Sequence, residues 1–364
     1  MARVEKVKWT LECPCRNNLL AVSEEADTGV GNHEYRRDKT GAFYTGKIGS
    51  AFRGEWFFRK DQNYAGPFIT NSPFDIFLEI TEKCNLDCKG CYLQKNGAEA
   101  ELGQLEKIID ELARCGVKNI QLLGGEPTTH SKLPEICSYI KSTFRNVEIV
   151  SNGYNISDSM IKKLDKNADL FCISIDGNRD THNCLRSNNQ SYDRAVSSLN
   201  RLSAAGFETE IVMTLNRLNY KQIGHVRDLC KDGTGFYVKM FIPANGDSEL
   251  SLSRENIEEI KEACEKLGVD ATPFAAGFGK PGKYSFFGCP MGRTSALVDI
   301  KGDVFSCAYN RADAKRLGNM LTESLESIWS RNNQNIVENQ DEKCGACNFQ
   351  SRCGGMCTVK ATSD

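Results

Sequence analysis

Residues Phe74–Tyr92 read FDIFLEITEKCNLDCKGCY. The first part, Asp75–Ile80, is short and apolar enough for a strand buried on both faces, with Ile76, Phe77, Leu78 and Ile80 in succession. A polar Thr81-Glu82-Lys83 follows, and then three cysteines, Cys84, Cys88 and Cys91, spaced x3 and x2. Thiolates are soft ligands that select iron–sulfur clusters or zinc. Zinc commonly uses paired Cys-x2-Cys knuckles. Three thiols in a single loop instead suit one face of an iron–sulfur cluster, with one iron left open. A zinc site or unligated thiols are the alternatives.

Outward from this stretch, strands alternate with helices. Apolar runs at Asn119–Leu123, Val147–Val150, Leu170–Ile175, Glu210–Leu215 and Tyr237–Ile242 predict five more strands. Between them, Leu105, Ile108, Ile109 and Leu112 form one apolar stripe at helical spacing, and Leu133, Ile136, Cys137 and Ile140 another. Six βα units in series predict a parallel sheet with right-handed crossovers. Eight-unit barrels run to roughly 250 residues, more than this stretch offers, so the expected fold is α/β, a partial (β/α)6 TIM barrel over residues 74–286. Its active site is expected at the C-terminal strand ends, where the three cysteines lie.

The flanks differ. Residues 1–73 are rich in glycine and aromatics, with short strand-like runs at Val7–Leu11, Ala42–Tyr44 and Glu55–Phe58, and predict a small β-rich extension. Residues 287–364 carry glycines, turns and six cysteines, and predict a cysteine-rich cluster-binding domain. The whole chain has 364 residues, 46 Lys plus Arg against 48 Asp plus Glu, and 17 Cys. A near-neutral charge argues against nucleic acid as an obligatory partner, since phosphate binding needs a basic face. No run of 18 apolar residues suggests a membrane span, and the N-terminus has no apolar segment of signal-peptide type, so a cytoplasmic protein is expected. A chain of this length needs no disulfides to fold, and in a reducing compartment its thiols point to metal. Cys137, Cys172, Cys230 and Cys264 fall on apolar stripes or strands and are expected in the core. Cys13-Pro-Cys15 has no counterpart pattern.

Cys-x3-Cys-x2-Cys followed by an aromatic resembles the signature of the radical S-adenosylmethionine superfamily. Other strand ends agree. Gly124-Gly125-Glu126-Pro127 resembles its GGEP motif, Ser151-Asn152-Gly153 its (T/S)NG, and Ser174-Ile175-Asp176-Gly177 with His182 and Arg186 a segment of many members; Asn216 and Asn219 follow the fifth strand. Each is a common turn on its own; their joint order carries the resemblance. It implies a 4Fe–4S cluster on Cys84, Cys88 and Cys91, with S-adenosylmethionine on the open iron. It further implies that Gly124 and Gly125, lacking Cβ, let the backbone approach the cofactor, with Pro127 beside them in the cofactor-binding set, and that Glu126 accepts from the methionyl ammonium. Tyr92 would lie beside the adenine, Ser151, Asn152 and Ser174 at the ribose or methionyl end with Asp176 and Asn216 nearby, and Arg186 at the carboxylate. One electron, from a donor such as flavodoxin or ferredoxin, would give a 5′-deoxyadenosyl radical that abstracts hydrogen from substrate.

The spacing Cys289-x12-Gly302-x4-Cys307, then Cys344-x2-Cys347-x5-Cys353-x3-Cys357, is similar to the SPASM extension of peptide- and protein-modifying radical enzymes. The resemblance implies one or two auxiliary 4Fe–4S clusters, with Cys289, Cys307 and Cys357 serving the first and Cys344, Cys347 and Cys353 the second. Two of the family's cysteines have no match, one shortly after Cys289 and one beyond Cys357. Taken alone, Cys344–Cys357 fits a structural zinc ribbon equally well. The expected function is maturation of a ribosomally made peptide by thioether or carbon–carbon crosslinking, epimerisation or oxidation. A small-molecule enzyme (cofactor, sugar or tetrapyrrole) and a sulfatase-maturing activity are the alternatives, and residues 1–72 do not read as a winged-helix leader-binding domain.

Overall fold

The computed structural model describes residues 72–338, apart from 145, 166, 232, 244–248, 270–290, 293–294 and 313–314, together with five strands nearer the N-terminus. Those strands are β1 (Trp9–Glu12), β2 (Leu19–Val22), β3 (Glu34–Asp38), β4 (Gly41–Lys47) and β5 (Arg53–Arg59). They pair in the order β2-β1-β5-β4-β3, and every pair is antiparallel. Two of them, β2 and β3, have no counterpart in the sequence expectation. Cys13, Cys15, Cys289, Cys344, Cys347, Cys353 and Cys357 lie outside the described residues.

The six expected parallel strands all form: β6 (Asp75–Thr81), β7 (Asn119–Gly124), β8 (Asn146–Ser151), β9 (Leu170–Ser174), β10 (Glu208–Leu215) and β11 (Thr234–Met240). They sit side by side in chain order, each parallel to the next, as a series of right-handed βα units requires. The last strand starts three residues earlier than its apolar run, at Thr234 rather than Tyr237. The intervening helices are α1 (Leu102–Arg114), α2 (Leu133–Thr143), α3 (Asp158–Leu164), α4 (Arg179–Arg186), α5 (Ser191–Ala204) and α6 (Ile223–Arg227). The apolar stripes read from the sequence are the buried faces of α1 and α2: Leu105, Ile109, Leu112, Leu133, Ile136, Cys137 and Ile140 are fully enclosed. They pack on alternate strand residues such as Ile76, Leu78, Ile120, Leu122, Val147 and Ile149. Each such side chain contributes about 1.5–3 kcal/mol by leaving water. The other sheet face carries the polar and charged residues Asp75, Glu79, Asn119, Glu148 and Glu210, all buried. Cys137, Cys172 and Cys264 are core as expected, and Cys230 is half-buried against it.

Beyond α7 (Arg254–Leu267) the chain returns to the same sheet. β12 (Ser295–Val298) pairs parallel to β6 on the side away from β7, and β13 (Asp303–Phe305) and β14 (Arg316–Asn319) continue antiparallel. Nine strands thus run in one sheet, β11-β10-β9-β8-β7-β6-β12-β13-β14. The final helix, α8 (Leu325–Glu338), docks on the barrel: its Leu325 N–H donates to Glu111 of α1 at 2.9 Å, and Asn332 donates to the Gly292 carbonyl at 2.7 Å.

Candidate active site

β6 ends at Thr81, and the loop that follows carries Cys84, Cys88 and Cys91, each half-buried and without a disulfide. The loop is held from several sides. Gly125 N–H donates to the Thr81 carbonyl at 2.7 Å and Glu126 N–H to that of Lys83 at 2.8 Å, so the end of β7 is stitched to the approach to Cys84. Lys95 Nζ donates to the Leu86 carbonyl at 2.6 Å and pairs with Asp87. Lys89 N–H donates to the Leu185 carbonyl of α4 at 2.8 Å.

Gly124 and Gly125 are required by the protein itself. Gly124 has φ +137°, and a Cβ there would lie 2.2 Å from the Thr81 carbonyl oxygen; a Cβ on Gly125 would lie 2.2 Å from that of Lys83. The two glycines thus bring the end of β7 against the end of β6 and the approach to Cys84. Pro127 then opens a single 3-10 turn, with Glu126 as its cap.

Glu126 is the hub of the next layer and is 1% exposed. Its Oε1 accepts from Thr128 N–H (3.1 Å), Thr128 Oγ1 (2.6 Å) and Ser151 Oγ (2.7 Å), and its Oε2 from Asn152 N–H (2.7 Å). Burial pushes its carboxyl up; the hydrogen bonds from Thr128, Asn152 and Ser151 pull it back. Asn152 closes the circuit by donating to the Asn85 side chain, inside the cysteine loop, at 2.7 Å. The GGEP and SNG segments are therefore one hydrogen-bonded unit with the cysteines.

A second unit comes from β9 and β10. Buried Asp176 accepts from Arg186 on Oδ2 (2.8 Å from Nε) and from Thr214 N–H on Oδ1 (2.9 Å). Arg186 reaches on to the Cys88 sulfur, 3.8 Å from Nη1. The guanidinium expected at a cofactor carboxylate thus already has a carboxylate within the chain. His182 accepts the Asp176 N–H on Nδ1 at 3.0 Å and lies 3.0 Å from Ser191 Oγ on Nε2; burial holds it neutral, down to about 4. Ser174 ends β9 half-buried. Asn216 is spent on its own turn, accepting from Leu218 N–H at 2.9 Å, while Asn219 donates to the Asp176 carbonyl at 2.9 Å.

Tyr92 has partners that the sequence reading missed. Its hydroxyl donates to Glu79 Oε1 at 3.1 Å, Arg311 pairs with the same carboxylate, and the Arg311 guanidinium lies 5.4 Å over the Tyr92 ring. The ring of Tyr309 approaches to 5.4 Å at 60°. Burial pushes the Glu79 carboxyl up, opposed by Arg311. Two residues before Tyr309 is Cys307, the buried C-terminal ligand candidate among the described residues. Sequence offered one signal for this group, the acid Glu79 inside an apolar strand.

No three His, Cys, Asp or Glu side chains among the described residues converge as a single ion would need. A cubane cluster asks for something else, since each thiolate takes a different iron. Three separate half-buried thiols in one loop, with a guanidinium beside one sulfur, fit that demand.

Comparison with known proteins agrees. The model of the radical SAM superfamily matches residues 78–230, and that of the SPASM iron–sulfur cluster-binding domain residues 289–353. The chain is 27% identical over 308 residues to the mycofactocin maturase MftC of Mycolicibacterium smegmatis, covering 79% of this chain and 78% of that one. It is 30% identical over 278 residues to the sporulation killing factor maturation protein SkfB of Bacillus subtilis (73% and 67% covered). It is 25% identical over 335 residues to an AdoMet-dependent heme synthase of Methanosarcina barkeri (80% and 93% covered). Among solved structures, Streptococcus suis SuiB bound to its precursor peptide SuiA superposes with a TM-score of 0.66 at 18% identity, over 80% of this chain and 73% of that one.

Proposed function

Because the chain belongs to the radical S-adenosylmethionine superfamily and carries a C-terminal SPASM domain, we propose that it matures a ribosomally made peptide by hydrogen abstraction. It is a radical enzyme that uses S-adenosylmethionine, a 4Fe–4S cluster and auxiliary iron–sulfur clusters. When bound, this cofactor set supplies an electron and a 5′-deoxyadenosyl radical.

Cys84, Cys88 and Cys91 would hold the cluster, at the C-terminal end of β6 where barrel chemistry resides. Arg186 places a donor on the Cys88 sulfur, and hydrogen bonds to ligating sulfurs tune a cluster's potential. Glu126 Oε2 accepts one hydrogen bond and has capacity for a second, which suits an ammonium donor. The observation that carries the radical chemistry is the single hydrogen-bonded unit joining Glu126, Ser151 and Asn152 to the cysteine loop. Likeness to two maturases and to the fold of peptide-bound SuiB supports a peptide as substrate. The heme-synthase relative, with 93% of its length covered, supports a second reading in which the substrate is a tetrapyrrole.

Anaerobic reconstitution followed by S-adenosylmethionine and dithionite tests the first step: 5′-deoxyadenosine is expected from wild type and none from Cys88→Ala, since two thiolates do not retain the cluster. Cleavage by that variant would refute the cluster assignment. Incubation with peptides encoded beside the gene, and separately with an iron porphyrin, then separates the two substrates. Loss of hydrogen from a peptide, read by mass spectrometry, supports maturation; turnover of the porphyrin alone overturns it.

A further inference from the structure

We propose that Glu79 is a positioning residue of this site: from β6 it clamps Tyr92, next to the third cysteine, against Arg311 of the C-terminal segment, and so sets the wall between cysteine loop and SPASM domain. The inference deepens the reading above and rests on it for the cofactor used in its test.

Glu79 is 1% exposed, and a carboxylate is tolerated at that depth only when paired. Its partners come from the two segments that must meet. Tyr92 donates from the cysteine loop at 3.1 Å, and Arg311 pairs from the stretch just after Cys307. Arg311 in turn lies 5.4 Å over the Tyr92 ring and 6.0 Å from that of Phe305, while Tyr309 packs against Tyr92 from a third direction. Tyr92 is thus fixed at its hydroxyl by Glu79 and on its ring by two residues of the C-terminal segment. Arg311 Nε and Nη2 are both buried without a hydrogen bond of ordinary geometry among the described residues, and the guanidinium meets Glu79 as an ion pair through Nη2, which makes Glu79 the carboxylate at contact distance from its charge. A buried ion pair seldom stabilises more than an apolar pair of the same volume. What it adds here is a fixed geometry, anchored on a strand flanked by β7 on one side and β12 on the other.

Glu79→Gln keeps the shape and the acceptor for Tyr92 but removes the charge that holds Arg311. In cluster-loaded protein with dithionite, the S-adenosylmethionine concentration for half-maximal 5′-deoxyadenosine release is expected to rise about tenfold (~1.4 kcal/mol), with kcat within about twofold. A merely structural loss would lower the active fraction, hence kcat, and leave KM alone. In metal-free protein, amide hydrogen exchange across 303–311 is expected to speed up while α2 and β8 keep their protection. Arg311→Lys retains a cation for Glu79 and should restore most of the KM; Arg311→Met should match Glu79→Gln and carries the test if that variant does not fold. Unchanged KM and unchanged exchange in Glu79→Gln would overturn the clamp. Failure of wild type to release 5′-deoxyadenosine would refute the proposed function instead, and the exchange measurement would still judge the clamp.

Discussion

A Cβ added at Gly125 would meet the Lys83 carbonyl oxygen at 2.2 Å and the Glu82 carbonyl oxygen at 2.9 Å. Both are backbone atoms, so no side chain can swing away to make room, and overpacking of this kind costs about 1–3 kcal/mol. What would move is the approach to Cys84. Gly125→Ala is therefore expected to lower the denaturation midpoint and, in reconstituted protein, to reduce iron bound at the first site while far-UV circular dichroism stays native. Wild-type iron content in that variant would show that the loop tolerates the shift. The same residues mark the limit of reading a sequence at this scale. Two adjacent glycines say that something comes close; here it is the carbonyls of the cysteine loop itself. Glu126 and Asn152 stand out in the sequence as candidates, but their bond to each other and to Asn85 does not, because those bonds depend on how three strand ends align.

Elements with a strong period were legible and those defined by distant partners were not. α1 and α2 bury the stripes read from the sequence because four apolar residues at helical spacing leave one solution. β12 has four residues, Ser-Ala-Leu-Val, and becomes a strand by pairing with β6 more than two hundred residues earlier. The docking of α8 is of the same kind. Glu111 Oε1 accepts the Leu325 N–H at 2.9 Å, acting as an N-terminal cap borrowed from another helix. The Arg114 hydrogen bond chiefly holds the Glu111 carboxyl below its usual 4.5, with Leu325 N–H also lowering it. Arg114 is 54% exposed, so its share of stability is small. A depressed folded value gives stability that is present above the unfolded value and lost as pH falls through the folded one. Glu111→Ala is expected to cost about 0.5–2 kcal/mol near neutrality, with faster amide exchange in α8. The difference from wild type should shrink as pH falls below about 4.5 and on through the depressed folded value, below which Glu111 is neutral in both states of the chain. A gap that persists undiminished across that whole acid range, measured by chemical denaturation, would place the cap's contribution elsewhere.

At the scale of the whole molecule, the order of the six βα units followed from the apolar runs, and the cysteine loop follows the first of those strands. That the C-terminal segment adds three strands to the same sheet did not follow, because nothing local distinguishes a short strand of that sheet from a strand of a separate domain. Asp75 stands at the seam. It begins β6, opposite Asn119 of β7 on one side and Ser295 of β12 on the other. Asn119 Nδ2 donates to its Oδ1 at 2.5 Å, and the Ser295 side chain of β12 also interacts with the buried carboxyl, though at Oδ2 no hydrogen bond of ordinary geometry forms among the described residues. Burial drives the carboxyl well above its usual 3.8, and Glu148 pushes in the same direction. Because the folded value is the higher one, the stability Asp75 contributes is complete below the unfolded range near 3.9 and is lost as pH rises through the folded value. Asn at this position has nearly the same shape and no charge to bury. Asp75→Asn is thus expected to match wild type near pH 4 and to exceed it at pH 8 by about 1 kcal/mol or more, a shift of ~2 °C in Tm for a chain of this size. Thermal denaturation of metal-free protein at both pH values measures it. A variant less stable than wild type at pH 8 would mean that the ionised carboxylate is an asset at the seam and that β12 joins β6 through its charge.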